Sequence, residues 1–384
     1  MKKSNINNVL TEIKTPAWVI EEPLLKANLE MMQYIKEKSG AKILLALKGY
    51  AIFSTFDIIK EYLDGCCASG HNEAILASEE FKKEVHTYSP AFKRDEIEAI
   101  AKLSNHLVFN SIAQFKKYAS LAKAINPNIS LGLRINPEFS SSPKEIYNPC
   151  GLYSRLGVTI ENFDESILPL CEGLHFHALC EQDSDALASV LEHFESKFGK
   201  YIPQMKWINF GGGHHITRDD YDLGSLITLI NDFKTKYNVS QIYLEPGEAI
   251  GWECGVLVAS VVDIVHNGMD IAILDISAEA HMPDTIIMPY RADIRHSAKA
   301  GEKAHSYRIT GNSCLAGDVM GDYSFDAPLT IGDKLIFEDQ IHYTIVKATT
   351  FNGVKLPSIN ILHANGTLER VKEFGYNEFK DRLS

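Results

Sequence analysis

A lysine, an imidazole, a run of glycines and a carboxylate each accompany a short apolar stretch of this chain. Lys48 follows residues 41–47 (AKILLAL), and His177 lies within residues 173–179 (GLHFHAL). Gly211, Gly212 and Gly213 follow residues 206–210 (KWINF), and Glu245 closes residues 241–244 (QIYL). Desolvation lowers a lysine's pKa and frees its amine for a Schiff base. Successive glycines let backbone N–H groups approach and cradle a phosphate. A carboxylate can hold a protonated pyridine nitrogen and keep the ring an electron sink, while an imidazole can stack on the ring's face. Together these groups suit pyridoxal phosphate. Singly, each has a plainer reading: a surface amine, a core histidine, a tight turn. The glycine run lacks the lysine and the spacing of nucleotide-phosphate loops. His175 shares a strand face with His177, and the sequence leaves open which of the two stacks.

A further group stands in residues 311–318 (GNSCLAGD), where Cys314 sits among small residues in an expected exposed turn. A thiol there can hand a proton to a carbanion carbon. A buried structural cysteine is the alternative.

These groups come from segments far apart, and the C-terminal strand ends of a (β/α)8 barrel are where such groups gather. Residues 15–20 (TPAWVI) read as a strand, and residues 21–39 carry helical spacing through Leu25, Leu29, Met32 and Ile35. From residue 41 onward, apolar runs alternate with helical stretches. Strands are expected at 106–110 and 129–136, with a helix at 112–123 between them. After Glu248 the pattern turns strand-like, at 256–266, 271–276, 305–310, 334–337 and 343–347. The expected fold is therefore α/β, a TIM-type (β/α)8 barrel over residues 22–248. Residues 1–21 with 249–384 are expected to form a β domain, a sandwich or small barrel. Residues 137–151, rich in Ser and Pro, are expected to be an irregular loop.

The 384 residues, 45% of them hydrophobic, allow one large domain and a smaller one. A net charge of −12 disfavours nucleic acid and mildly favours cationic ligands. The first residues have no apolar core of a secretory signal, and no run approaches the roughly 18 apolar residues of a membrane span. Seven cysteines are scattered without metal-ligand spacing, so reduced thiols in a cytoplasm, and no metal, are expected.

In order along the chain, TPAWVIEEPLLKANL, LALKGY, SGHNEA, GLRINP, SRLGV, LHFHAL, FGGG, EPG and the cysteine loop resemble the fold type III pyridoxal-phosphate-dependent decarboxylases. This is the ornithine and diaminopimelate decarboxylase superfamily, whose barrel is alanine racemase-like. The resemblance covers nearly the whole chain. It implies that Lys48 forms the internal aldimine, His177 stacks on the ring, and Glu245 meets the pyridine nitrogen. Gly211, Gly212, Gly213 and Tyr343 would hold the phosphate. Cys314 would enter from a partner subunit as proton donor, with Asp318 beside it, so a homodimer with shared sites is implied.

Departures within the superfamily narrow the expected substrate. Diaminopimelate decarboxylases carry an arginine after EPG, where this chain has Glu248, and their C-E-S-x-D loop is CLAGD here. A carboxylate in place of a cation disfavours a distal carboxylate and favours an amine. NPCGLYSRLG, EPGEA and SCLAGD are similar to the carboxynorspermidine/carboxyspermidine decarboxylase branch. That resemblance implies release of CO2 from those carboxypolyamines, with Asp318 for a distal amine; Glu248 and Asp284 are the candidate acidic groups for the secondary and terminal ammonium groups. Cys66 falls where ornithine decarboxylases have an aspartate, and Glu73 is left outside the site. The alternatives are a diaminopimelate, ornithine or arginine decarboxylase, a racemase, and a catalytically silent regulator of the same fold. The cysteine loop speaks against a racemase, and the presence of both Lys48 and Cys314 against a silent regulator.

Overall fold

Buried strands of a closed parallel sheet need apolar side chains on both faces, which is what the continuous runs of this chain provide. In the computed structural model, which describes residues 4–142 and 144–384, those runs become strands. Residues 1–3 of the expected β domain, and Pro143 of the expected loop, lie outside the described residues. The first strand, β1 (Ala17–Glu21), precedes the barrel. The barrel strands are β2 (Lys42–Ala46), β3 (Gly65–Ala68), β4 (Glu84–Tyr88), β5 (His106–Phe109), β6 (Ser130–Arg134), β7 (Gly173–His175), β8 (Trp207–Asn209) and β9 (Gln241–Leu244). Each pairs in parallel with the next, and β9 returns to β2 through Lys42 with Tyr243 and Ile43 with Leu244. Chain contacts group Asn28–Ile250 into one compact unit; Met1–Ala27 and Gly251–Ser384 form the other.

The helices between strands carry their own start signals. Ser111 accepts from the Gln114 N–H at 3.2 Å to cap the helix Ile112–Ile125. Asp222 accepts from Ser225 N–H at 2.9 Å to cap Leu223–Tyr237. Such caps satisfy helix N–H groups that have no carbonyl partner. Arg94–Leu103 buries Ile97, Ile100 and Ala101, one stripe of the helix, and turns its charges outward.

The barrel interior is filled rather than hollow. Leu44, Val108, Trp207 and Tyr243 form a buried cluster inside it. Trp207 needs two glycines for its space: a Cβ on Gly132 would lie 2.3 Å from the indole, and one on Gly173 2.1 Å. Its indole N–H donates to Ser130 Oγ at 2.8 Å, so the ring is fixed at both its apolar and its polar parts.

In the other unit, β1 is joined by β10 (Gly255–His266), β11 (Asp270–Leu274), β12 (Ala298–Lys299), β13 (His305–Thr310), β14 (Val319–Phe325), β15 (Lys334–Glu338), β16 (Ser358–Leu362) and β17 (Leu368–Lys372). They make one nine-stranded sheet in the order β12-β14-β13-β11-β10-β1-β16-β17, with β15 also paired to β10. β1 lies antiparallel to β10 and parallel to β16. Ile6, Val9, Ile13, Val19, Val256, Val258 and Ile336 pack together against it.

One expected strand is a helical turn. Residues 343–347 (YTIVK) have the β-branched and aromatic content of a strand, yet Tyr343–Val346 is helical. Ile345 N–H donates to His342 O and Lys347 N–H to Tyr343 O, both at 3.0 Å. β15 ends at Glu338, and Asp339, at φ 55°, turns the chain away from the sheet before YTIVK begins. Five residues are too few for periodicity to separate a short strand from one turn of helix. No helix among the described residues is long and apolar enough to cross a membrane.

Because Trp207 occupies the volume a side chain at 173 would need, Gly173→Ala should destabilise the barrel by about 1–3 kcal/mol. Urea unfolding followed by tryptophan fluorescence measures this, and pairing it with Trp207→Leu should return most of the loss.

Candidate functional site

The C-terminal strand ends gather the groups singled out from the sequence. Lys48 stands two residues past β2, in a turn held by Gly49 N–H and Tyr50 N–H, which both donate to Ala46 O, at 3.0 and 3.1 Å. Its side chain is reached by solvent, yet protein groups surround its amine. Burial lowers its pKa, Arg134's charge adds to the effect, and Cys67, Glu245 and Cys180 oppose it. The chain after β9 closes against this turn. Ala46 N–H donates to Pro246 O at 3.0 Å, and a Cβ on Gly49 would lie 3.1 Å from Glu248 N. Glu248 opens the short helix Glu248–Gly251 beside the lysine turn, and its charge helps raise the Cys180 thiol, which burial lifts to about 11.

His177 lies beyond the three-residue strand β7, where Gly212 N–H donates to its Nδ1 at 2.9 Å. That bond makes Nδ1 the acceptor and leaves the proton on Nε2. Burial, with Lys48 and Arg134 adding, drives its pKa well down, so the ring is neutral. The glycine turn is dictated by backbone crowding. Gly211 and Gly213 have φ of 73° and 85°. A Cβ on Gly211 would lie 2.3 Å from Phe176 O, on Gly212 2.4 Å from Glu245 O, and on Gly213 2.1 Å from Leu179 O. The Gly211 N–H donates to Asn209 Oδ1 at 2.8 Å and the Gly212 N–H to His177. Two of the three glycine amides therefore orient side chains of the mouth.

Glu245 directly follows β9, its N–H donating to Gly211 O at 2.8 Å. Asn209 Nδ2–H donates to its Oε1 at 2.7 Å, and His175 Nε2 stands 3.4 Å from its Oε2. Burial opposes the charge, yet His175 and Asn209 hold the carboxyl at about 2, so it is ionised. Arg134 ends β6 with its guanidinium 4.7 Å from the Tyr88 ring centroid, and its Nη2–H donates to His177 O at 3.3 Å. Along the rim, a cavity of about 840 Å3 is lined by Gln182, Asp183, Arg218 and Asp222 among others; Lys48, His177 and Glu245 are outside its lining.

The N-terminal strand ends are polar too. Glu84, His86 and His106 place one donor atom each within 4.8 Å of one another. Lys42 pairs with Glu84, Tyr243 Oη–H donates to Glu84 Oε2 at 3.3 Å, and the two imidazoles stack at 3.8 Å and 11°. A metal bound by imidazole lies in the ring plane, and two nearly parallel planes 3.8 Å apart do not meet at one ion. In this arrangement the group is a salt-bridged base to the barrel.

In the other unit, Cys314 is exposed on its loop. Its N–H donates to Asn352 Oδ1 at 2.7 Å. Asp318 is 3% exposed and fully engaged: Ala278 N–H donates to Oδ1 at 2.6 Å and Ser313 N–H to Oδ2 at 3.0 Å. It ties the cysteine loop to the helix Ala278–His281. Asp284 pairs with Lys347 Nζ at 2.5 Å. Tyr343 begins the helical turn described above, with Lys347 Nζ 5.8 Å from its ring centroid. Thr349 N–H donates to Ala280 O at 2.8 Å, so the segments carrying Asp318, Cys314, Asp284 and Tyr343 are stitched into one patch.

The sequence reading passed over Arg134, Asn209 and Tyr88. Arg134 and Asn209 are the last residues of β6 and β8, and Tyr88 is the last of β4. A polar residue closing an apolar run, the signal that marks Lys48 and Glu245, is present at Arg134 and Asn209, whereas Tyr88 ends the polar strand EVHTY, which carries no such signal.

A closed barrel with a lowered-pKa lysine and an ionised buried carboxylate at its C-terminal mouth defines a (β/α)8 enzyme built around lysine chemistry. The family model described as "Pyridoxal-dependent decarboxylase, C-terminal sheet domain" matches residues 18–340. The chain belongs to the pyridoxal-dependent decarboxylases. It is 56% identical over 382 residues to a carboxynorspermidine/carboxyspermidine decarboxylase of Campylobacter jejuni subsp. jejuni, covering 97% of this chain and 99% of that one. It is 42% identical over 378 residues to a carboxyaminopropylagmatine decarboxylase of Synechocystis sp., covering 98% and 97%. The crystal structure of carboxynorspermidine decarboxylase complexed with norspermidine from Campylobacter jejuni superposes with a TM-score of 0.90 at 53% identity, covering 96% of this chain and 100% of that one.

A lysine whose pKa is lowered has more neutral amine at pH 7 than an ordinary one, and only the neutral amine attacks an aldehyde. In the apoprotein, formaldehyde with cyanoborohydride should therefore methylate Lys48 ahead of exposed lysines such as Lys93 at pH 7. The lead should close as pH rises towards about 10.4, the ordinary lysine value. Peptide mapping by mass spectrometry reads the order.

Proposed function

We propose that this protein removes CO2 from carboxynorspermidine or carboxyspermidine, with pyridoxal phosphate seated at the C-terminal mouth of the barrel. The observation that carries this reading is the gathering of Lys48, His177, the crowded glycine turn and the buried Glu245 at the C-terminal strand ends of one closed barrel. The residues fit the cofactor: an amine for its aldehyde, an anion for its ring nitrogen, and a glycine turn with no room for side chains. When bound, the cofactor supplies an electron sink for the pair released with CO2.

The chain's own groups do the rest. Lys48 offers its amine. Glu245 holds the proton on the ring nitrogen, and His177, neutral and fixed by the Gly212 N–H, covers the ring face. With the amides of Gly211 and Gly212 turned onto Asn209 and His177, the phosphate contact of the glycine turn falls chiefly to Gly213, with Tyr343 as a further ligand. Cys314, exposed on its loop, delivers the proton to the α-carbon from the partner subunit, so the active species is a homodimer. Among the acidic substrate ligands Glu248 comes first, because it opens the helix that closes against the Lys48 turn. Seven free cysteines suit a reducing cytoplasm.

The test is CO2 release by the holoenzyme from carboxynorspermidine, carboxyspermidine, carboxyaminopropylagmatine, diaminopimelate and ornithine. The highest kcat/KM is expected on one of the first two. A preference for diaminopimelate or ornithine would overturn the assignment of Glu248, and one for the agmatine adduct would move the distal group from ammonium to guanidinium. Lys48→Ala should abolish turnover. Gly213→Ala should weaken cofactor affinity about tenfold or more, from left-handed strain plus the lost approach of backbone to phosphate; a fluorescence titration of the apoprotein measures it.

A further inference from the structure

His175 closes β7, two residues before His177, and it is 2% exposed. Neither ring nitrogen makes a well-formed hydrogen bond, yet Nε2 stands 3.4 Å from Glu245 Oε2. A buried imidazole left short of partners is uncommon, because the lost hydrogen bond with water is not replaced. Here the nitrogen faces the carboxylate on which the proposed chemistry turns.

The surroundings decide what kind of partner His175 can be. Its ring packs edge-on to Tyr88 at 5.5 Å, and Tyr88 carries the Arg134 guanidinium on its face. Burial lowers the pKa of His175, Arg134 and His86 lower it further, and Glu245 opposes them. The ring is thereby kept a neutral N–H donor. The distinction matters chemically. An imidazolium would compete with a protonated ring nitrogen for the same carboxylate, whereas a neutral donor supports the anion and leaves its full charge available. Asn209 does the same at Oε1. One oxygen of Glu245 is thus held by a neutral amide, and the other faces the His175 nitrogen.

We propose that His175 is a positioning residue for Glu245, its Nε2–H aimed at Oε2 so that the carboxylate is oriented towards the cofactor's ring nitrogen. This rests on the reading of Glu245 given above. It assigns His175 a role distinct from that of His177, which covers the ring.

The experiment compares His175→Gln, which keeps an N–H donor, with His175→Phe, which keeps the ring packing against Tyr88 and loses the donor. His175→Met repeats the donor-less arm should Phe not be accommodated. Pyridoxal phosphate affinity is measured by titration of each apoprotein, with circular dichroism as the check of folding and Glu245→Gln as reference. Loss of a hydrogen bond to a charged group should raise Kd about tenfold or more in the Phe and Met variants, while Gln stays within about threefold of wild type. Donor-less variants that bind like wild type, or a Gln variant as weak as Phe, overturn the role of His175. If Glu245→Gln itself binds like wild type, the reading of Glu245 fails first, and the inference with it.

Discussion

The mouth of this barrel is organised by one close backbone approach, where the ends of β7, β8 and β9 come together with no room for a Cβ. Glu245 N–H meets Gly211 O, and the Gly212 Cα lies where a side chain would strike Glu245 O. From that contact follow the direction of the carboxylate, the tautomer of His177 and the path of the glycine turn. Glycine is required at 211 and 213 twice over, by positive φ and by neighbouring carbonyls. The electrostatics are built on top of this geometry. An anion held by the Asn209 amide shares the mouth with an amine whose charge is disfavoured.

Much of that arrangement was legible because it is written in strand ends. Lys48, the glycines and Glu245 each follow an apolar run, and a parallel barrel brings such positions to one end whatever the details of packing. What could not be read were partners set by register across the barrel. Nothing in the sequence says that Asn209 reaches Glu245, or that the Gly212 amide chooses His177 over the ring two residues earlier. The same limit holds for acidic residues. Asp318 and Asp284 have the composition of substrate ligands, and only their partners in space, two amides and Lys347, show how each is occupied.

The second unit was legible as β structure but not in full. The apolar pattern of β14 is broken by Gly321 and Asp322, and β17 (LERVK) is an edge strand whose charges hide its pairing with β16. YTIVK shows the opposite case, strand composition in a helical turn. Short elements near the cysteine loop take their form from the bonds that stitch them together, which is information local sequence does not hold.

The indole of Trp207 fills space left open by Gly132 and Gly173, which makes three positions on neighbouring strands share a single volume. Variation at any one of them is therefore constrained by the others. A lineage that enlarges residue 132 or 173 must first, or at the same step, shrink residue 207. Among relatives of this barrel the three sites should change as a correlated set, even though only Trp207 looks like a core residue when the sequence is read one position at a time.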